Sequence, residues 1–149
     1  MKPINEVELK FMSKSRNEAF ARVTAAAFIS QIDPNIEELA DVKTAVSEAV
    51  TNSIIHGYEN REGFIKMNCL LYENAVEIII KDGGKGIEDI EKARQPMYTS
   101  KPEMERSGMG FTIMESFMDQ LEIVSEVGKG TTIKMHKVFK SVANGIQGV

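Results

Sequence analysis

The stretch Val76-Glu77-Ile78-Ile79-Ile80-Lys81-Asp82-Gly83-Gly84-Lys85-Gly86 decides how the chain is read. Val76, Ile78 and Ile80 alternate at the period of a half-buried strand. Asp82 keeps their parity, so its side chain points where theirs point. A carboxylate in phase with a core face needs a donor partner, because a charge buried without one is costly. The exocyclic amine of adenine is such a donor. The strand then enters a glycine-rich loop, where Gly84 and Gly86 let the backbone turn tightly beside a flat base. A plain hairpin end with a turn-favouring Asp-Gly pair accounts for the same residues without any ligand.

Upstream, Ile65, Met67, Cys69 and Leu71 alternate as well, with Asn74 in the turn between the two strands. Before them lies a long helix, from about Asn35 to His56, stopped by Gly57. Asp33-Pro34 is expected to start it, as an N-cap followed by proline at the first helical position. Ser15-Arg16-Asn17-Glu18 has capping-box spacing and opens an earlier helix to about Gln31, with Phe20, Val23 and Ala27 on one side. Val7, Leu9 and Phe11 read as a first strand. Downstream, residues from about Glu88 to Ser107 have weak periodicity and two prolines, a long connection of the kind that is functional or mobile. Gly108 and Gly110 open a third helix carrying Phe111, Met114, Phe117 and Met118, and two strands, Leu121–Ser125 and Thr131–Val138, follow. The tail, 140–149, is expected to fray. Strands cluster in hairpins and helices are not regularly interleaved. The fold class expected is an α/β sandwich with a mixed, mostly antiparallel sheet and helices on one face, rather than a doubly wound sheet.

The chain has 149 residues, suited to one domain, with 42% hydrophobic and 27% charged residues, an ordinary globular balance. A net charge of −4 argues against nucleic acid as the main partner. The single cysteine, Cys69, sits in an apolar stretch and reads as a core filler in a reducing compartment. Two histidines and one cysteine leave no zinc constellation. No apolar run nears the roughly 18 residues of a membrane span, and Glu6, Glu8 and Lys10 interrupt any signal-peptide core. A cytoplasmic location without membrane contact is the expectation.

Three further features carry chemistry. On the long helix, Leu39, Val46 and Val50 form an apolar stripe, while Glu48, Asn52 and His56 step by four along another side. Ala45, Ala49, Ile54 and Ile55 frame those polar groups, which suggests a pocket as readily as a solvated face. Gly108-Met109-Gly110 stands at a helix start, where free N–H groups favour phosphate, and Arg106 and Ser107 precede it. It is neither a Walker loop nor a Rossmann fingerprint. Thr131 has the parity of Ile133 and Met135, so its hydroxyl faces inward.

Taken in order, Glu48-x-x-x-Asn52, Asp82-x-Gly84-x-Gly86, Gly108-x-Gly110 and Gly130-Thr131 resemble the four boxes of the GHKL ATP-binding fold, over about residues 5–138. Ser47 to Tyr58 is similar to the corresponding box of bacterial anti-sigma kinases. Ala93 to Phe111 and Phe20-Ala21-Arg22-Val23 are similar to the lid and the first helix of the sporulation members of that family.

The resemblance implies a domain spanning 1–139 with a lid at about 88–107, and ATP/ADP and Mg²⁺ as cofactors. Asn52 would ligate magnesium, Glu48 would be the general base, and Asp82 would take the adenine amine with Thr131 nearby. Gly84 and Gly86 would shape the base pocket, and Arg106, Ser107, Gly108 and Gly110 would hold phosphates. Lys85 receives no role, and His56 that of a structural hydrogen-bonder. The implied activity is a serine protein kinase and anti-sigma factor. Its implied partners are a sporulation sigma factor, an anti-anti-sigma protein phosphorylated on serine, and a second copy in a homodimer, with Arg22 as a shared partner contact. The alternatives are a stress-response anti-sigma kinase of the same family and an ATP-gated binding module without transferase activity.

Overall fold

In the computed structural model, which describes residues 2–95 and 110–142, the alternating segments become five strands. These are β1 (Asn5–Met12), β2 (Phe64–Leu71), β3 (Ala75–Asp82), β4 (Gln120–Glu126) and β5 (Gly130–Val138). Their order across the sheet is β1-β2-β3-β5-β4. Every neighbouring pair is antiparallel, so the mixed sheet expected from the sequence is antiparallel throughout the described residues. Two of the four pairings are local hairpins, β2–β3 and β4–β5, and the return through the 83–119 segment brings β5 antiparallel to β3.

Alternation decides which face is buried. Ile65, Met67, Cys69, Val76, Ile78, Ile80, Ile133 and Met135 are fully buried in one core cluster with residues from the helices. Burial pushes the Cys69 thiol up to about 12, so it stays protonated as a core filler. The helices over that face are α1 (Arg16–Ile29), α2 (Ile36–Asn52) and α4 (Gly110–Phe117), with a short α3 (Ile90–Ala93) before the undescribed segment. α2 lies between α1 and α4 and touches both.

The helix starts correct two expectations. Ser15 sits at the start of α1 but in helical conformation, and its side chain makes no capping bond. Glu18, the other half of the expected box, instead pairs with Arg22 one turn on, at 2.8 Å. The N-cap of α2 is Asn35, not Asp33, which takes a left-handed conformation (φ 53°) one residue before Pro34. Asn35 and Glu38 form a complete capping box: Asn35 Oδ1 accepts the Glu38 N–H at 2.8 Å and Glu38 Oε1 accepts the Asn35 N–H at 3.0 Å. On α1 the buried residues are Ala21, Ala25 and Ile29, whereas Phe20 and Val23 are more than half exposed. Small alanines let α1 lie close to its neighbours, and the larger apolar groups turn outward.

The C-terminal residues described are tied down. Phe139 is fully buried. Ser141 donates its N–H and its hydroxyl to the Glu38 carboxylate and accepts the Asn35 N–H at 3.1 Å. Residues 143–149 of the tail expected to fray lie outside the described residues.

Candidate functional site

α2 does not stop at Gly57 as a regular helix. After Asn52 it widens into a π-turn, Ser53–Gly57, closed by the Tyr58 N–H on Ser53 O at 2.9 Å. The extra residue swings Gly57 against the end of β3. A Cβ on Gly57 would stand 3.0 Å from the Asp82 carboxylate. The turn therefore joins the polar side of α2 to the glycine loop.

Asp82 is 3% exposed and faces the core side, as its parity predicts. It stands directly opposite Thr131 in the β3–β5 register. Burial raises its carboxyl above the ordinary value of 3.8, against hydrogen bonds that favour the charged form. One of these is the Gly84 N–H on Oδ1 at 2.9 Å, and the Thr131 N–H gives another. The Ser53 hydroxyl lies close enough to act on the same carboxyl. It is fully buried, yet aligned as a hydrogen bond with no protein atom among the described residues. An orphaned buried hydroxyl costs about 1–3 kcal/mol and is relieved by a water or a ligand atom.

The loop after Asp82 is held on two sides. Gly84 packs so tightly on the π-turn that a Cβ would come within 2.2 Å of Gly57 O. Gly86 has φ +80°, and its Cβ would meet Glu126 O at 2.3 Å. Both glycines are therefore required by the backbone itself. Between them Lys85 N–H donates to Gly57 O at 2.9 Å, and Lys85 O accepts the Gly128 N–H at 2.7 Å. At the head of the loop, the Tyr58 hydroxyl accepts the Gly83 N–H at 2.7 Å and donates to Phe64 O at 2.6 Å.

A cavity of about 930 Å³ opens beside this loop. Asn52 and His56 form one wall, and Lys85, Gly86 and Ile87 another. α3 and the residues before it, 88–93, close a third side, and Gly110, Phe111, Ser125 and Val127 complete it. The Arg94 guanidinium pairs with Glu115 of α4, Nε to Oε1 at 2.9 Å, which ties the end of α3 to α4.

Of the residues singled out in the sequence, Asn52, Gly86 and Gly110 line the cavity. Asp82, Gly84 and Thr131 do not line it. Thr131 joins it through Ser125: their hydroxyl oxygens are 2.8 Å apart, and Ser125 Oγ also accepts the Ile87 N–H at 2.7 Å. Arg106, Ser107 and Gly108 lie outside the described residues. Glu48 does not line this cavity. It borders a second one of about 290 Å³, between α1 and α2, with Arg22, Ala40, Lys43, Thr44 and Ser47. Glu48 and Asn52, one helical turn apart, thus face two different cavities.

Sequence reasoning missed Ser53, Tyr58, Lys85 and Ser125. Ser125 was within reach, because Leu121, Ile123 and Ser125 alternate toward the covered face and Ser125 is the cross-strand partner of Thr131. Ser53 owes its place to the π-turn, which carries no signature in residue types.

A profile of the histidine kinase-like ATPase domain matches residues 11–137. An anti-sigma F factor of Clostridium kluyveri is 60% identical over 93% of this chain and 98% of its own. The chain belongs to the anti-sigma F factor family. Another member, from Clostridium botulinum strain Alaska E43, is 62% identical over 91% of this chain and 95% of its own. A third, from Thermoanaerobacter sp. strain X514, is 57% identical over 95% and 99%. Among solved structures, the RsbU and RsbW domains of Rv1364c from Mycobacterium tuberculosis superpose with a TM-score of 0.66 at 17% identity. That match covers 91% of this chain and 33% of the other, and it shows the GHKL fold.

The ATPase domain implies nucleotide binding, and this family member carries side chains that fit an adenine nucleotide. The buried Asp82 carboxylate, the orphaned Ser53 hydroxyl beside it and the backbone-tight glycine loop meet at one place. Among the described residues no three His, Cys, Asp or Glu side chains gather as a metal site. A cation here would lean on Asn52 and on oxygens of the nucleotide itself, which suits magnesium. No helix among the described residues is long and apolar enough to cross a membrane.

Proposed function

We propose that this member of the anti-sigma F family is an ATP-Mg-dependent serine protein kinase that holds a sporulation sigma factor inactive and phosphorylates a serine of an anti-anti-sigma protein. The observation that supports this most is the division of labour along one turn of α2. Asn52 faces the larger cavity beside the glycine loop, and Glu48 faces the smaller cavity on the α1 side. A phosphoryl-transfer site needs the nucleotide and the acceptor to approach from separate directions and to meet at a base and a cation. Glu48 and Asn52 stand at such a seam.

In this reading Asp82 accepts the adenine amine with Thr131 nearby, and Gly84 and Gly86 shape the base pocket through the tight loop that only glycine permits. Asn52 holds magnesium through its amide oxygen, and the cation neutralises phosphate charge. Arg106, Ser107, Gly108 and Gly110 bind phosphate oxygens, under a lid at about 88–107 within a domain of 1–139. Glu48 takes the proton of the acceptor serine hydroxyl, a contribution of roughly 10²–10⁴-fold. Arg22, which borders the same cavity as Glu48, is a contact shared by both protein partners. Competition for that surface then switches the sigma factor on and off. The protein acts as a homodimer in the cytoplasm, without membrane or nucleic-acid contact. The name anti-sigma F factor, carried by its relatives, supports a sigma factor as the inhibited partner.

The test is incubation with an anti-anti-sigma protein and labelled ATP-Mg, followed by mapping of the modified residue. Phosphoserine on the acceptor is the expected result. Nucleotide binding with no transfer to any acceptor would leave an ATP-gated binding module instead.

A further inference from the structure

We propose that the cavity between α1 and α2 is the acceptor subsite and that Lys43 reads an acidic side chain beside the phosphorylated serine. The inference rests on the kinase reading given above and adds the chemistry that selects its protein substrate.

A general base must meet the hydroxyl it deprotonates. Glu48 borders only the smaller of the two cavities described, so the acceptor serine enters there. At about 290 Å³ this space suits a few side chains of a docked loop and is small for a nucleotide. Five of its six lining residues carry a polar or charged group at the end of the side chain: Arg22 from α1, and Lys43, Thr44, Ser47 and Glu48 from α2, around the small Ala40. The two cations differ. Arg22 Nε is already held by the Glu18 carboxylate at 2.8 Å. Lys43 forms no ion pair among the described residues, so an incoming carboxylate finds its counter-charge at Lys43.

Spacing then fixes where that carboxylate sits. Lys43 precedes Glu48 by five residues, about 7.5 Å of helix rise. An extended segment lying along α2 covers that distance in about two residues. The acceptor therefore carries Asp or Glu about two positions from its serine. Closer placement sets the acidic group against Glu48, where like charges repel.

The test is steady-state transfer from labelled ATP-Mg to an anti-anti-sigma protein that the wild-type chain phosphorylates. Wild type is compared with K43E and K43Q. The acceptor is used as it is and with the acidic residue near its serine reversed to lysine. The expected result for K43E is an acceptor KM raised about tenfold, because charge at an interface rim governs encounter. kcat at saturation and the KM for ATP stay within about twofold of wild type, as neither cavity wall at Asn52 is touched. K43Q is expected to fall between. The charge-reversed acceptor is a poor substrate for wild type and regains transfer with K43E. An unchanged acceptor KM in both variants, or a reversed acceptor that K43E handles no better than wild type does, overturns the role of Lys43. A wild-type chain that transfers no phosphate at all overturns the kinase reading itself, so the two failures are distinct.

Discussion

Asp82 and Thr131 stand opposite each other in the register of β3 and β5, both almost fully buried, and the Thr131 backbone N–H is one of the groups that favour the charged Asp82 carboxylate. The pair joins the end of β3 to the start of β5, next to the glycine loop. A carboxylate kept there without a cation costs folding stability, and an adenine amine is a ligand that offsets the cost. Asp82→Asn keeps the shape, removes the charge and leaves the amine facing an amide. Loss of a hydrogen bond to a charged group is worth about 1.5–3 kcal/mol, so ATP affinity is expected to fall about 10- to 150-fold. Titration calorimetry with ATP-Mg checks it.

The same burial gives a pH signature. The folded-state pKa of Asp82 is raised, so between the unfolded and folded values the native state holds a proton that the unfolded chain has released. Its contribution to stability therefore declines as pH rises through that window and stays low above it. Urea unfolding of nucleotide-free wild type and Asp82→Asn, from about pH 4 to about pH 7, should show the wild type losing ground to the variant as pH rises.

Ser53→Ala removes the orphaned hydroxyl. The nucleotide-free protein is expected to become more stable by about 1 kcal/mol, while the gain in Tm on adding ATP shrinks. Differential scanning calorimetry with and without nucleotide measures both. Equal ligand-induced gains in the two proteins would show that the hydroxyl serves neither the nucleotide nor a water beside it.

Tyr58→Phe keeps the ring and deletes the oxygen between Gly83 N–H and Phe64 O. Gly83 N–H then loses this acceptor, while the bonds of Gly84 and Lys85 remain. ATP affinity is expected to fall about fivefold, the worth of roughly one hydrogen bond. Amide exchange should quicken at Gly83 and its neighbours more than in the core strands.

The capping box of α2 has its own pH dependence. Burial pushes Glu38 up, but hydrogen bonds from the Ser141 hydroxyl and from the Asn35, Ser141 and Lys140 backbone outweigh it, and the carboxyl ends below its ordinary 4.5. The stability it contributes is present above the unfolded value and is lost as pH falls through the folded one. Asn35→Ala, which removes the cap oxygen, is expected to cost about 1 kcal/mol at neutral pH. Urea unfolding at neutral and acidic pH follows both effects.

Much of this could be read from residue order, and the misses share a cause. Strand alternation fixed the faces of Asp82 and Thr131 because a period of two leaves one choice once the flanking Ile and Val are buried. Four-residue spacing brought Glu48 and Asn52 onto adjoining turns, but two cavities share that side of α2, and spacing does not say which cavity each residue faces. The cap at Asn35 was overshadowed by Asp33-Pro34, although Asn35 and Glu38 have capping-box spacing of their own, and Ser141 adds a tertiary contact to the same N–H. Phe20, Val23 and Ala27 share one side of α1 as their spacing requires, but spacing does not say that this side is the exposed one, opposite the buried Ala21, Ala25 and Ile29. Ser53 depends on an extra residue in one turn of backbone, a feature set by packing of Gly57 on Asp82.

The most direct test of the central claim is Glu48→Gln, measured for nucleotide binding and for phosphate transfer to an anti-anti-sigma protein in the same preparation. Unchanged ATP affinity with transfer reduced by about 10²–10⁴-fold is the predicted result, since Glu48 borders the smaller cavity and not the one beside the glycine loop. Undiminished transfer by the glutamine variant would contradict the account.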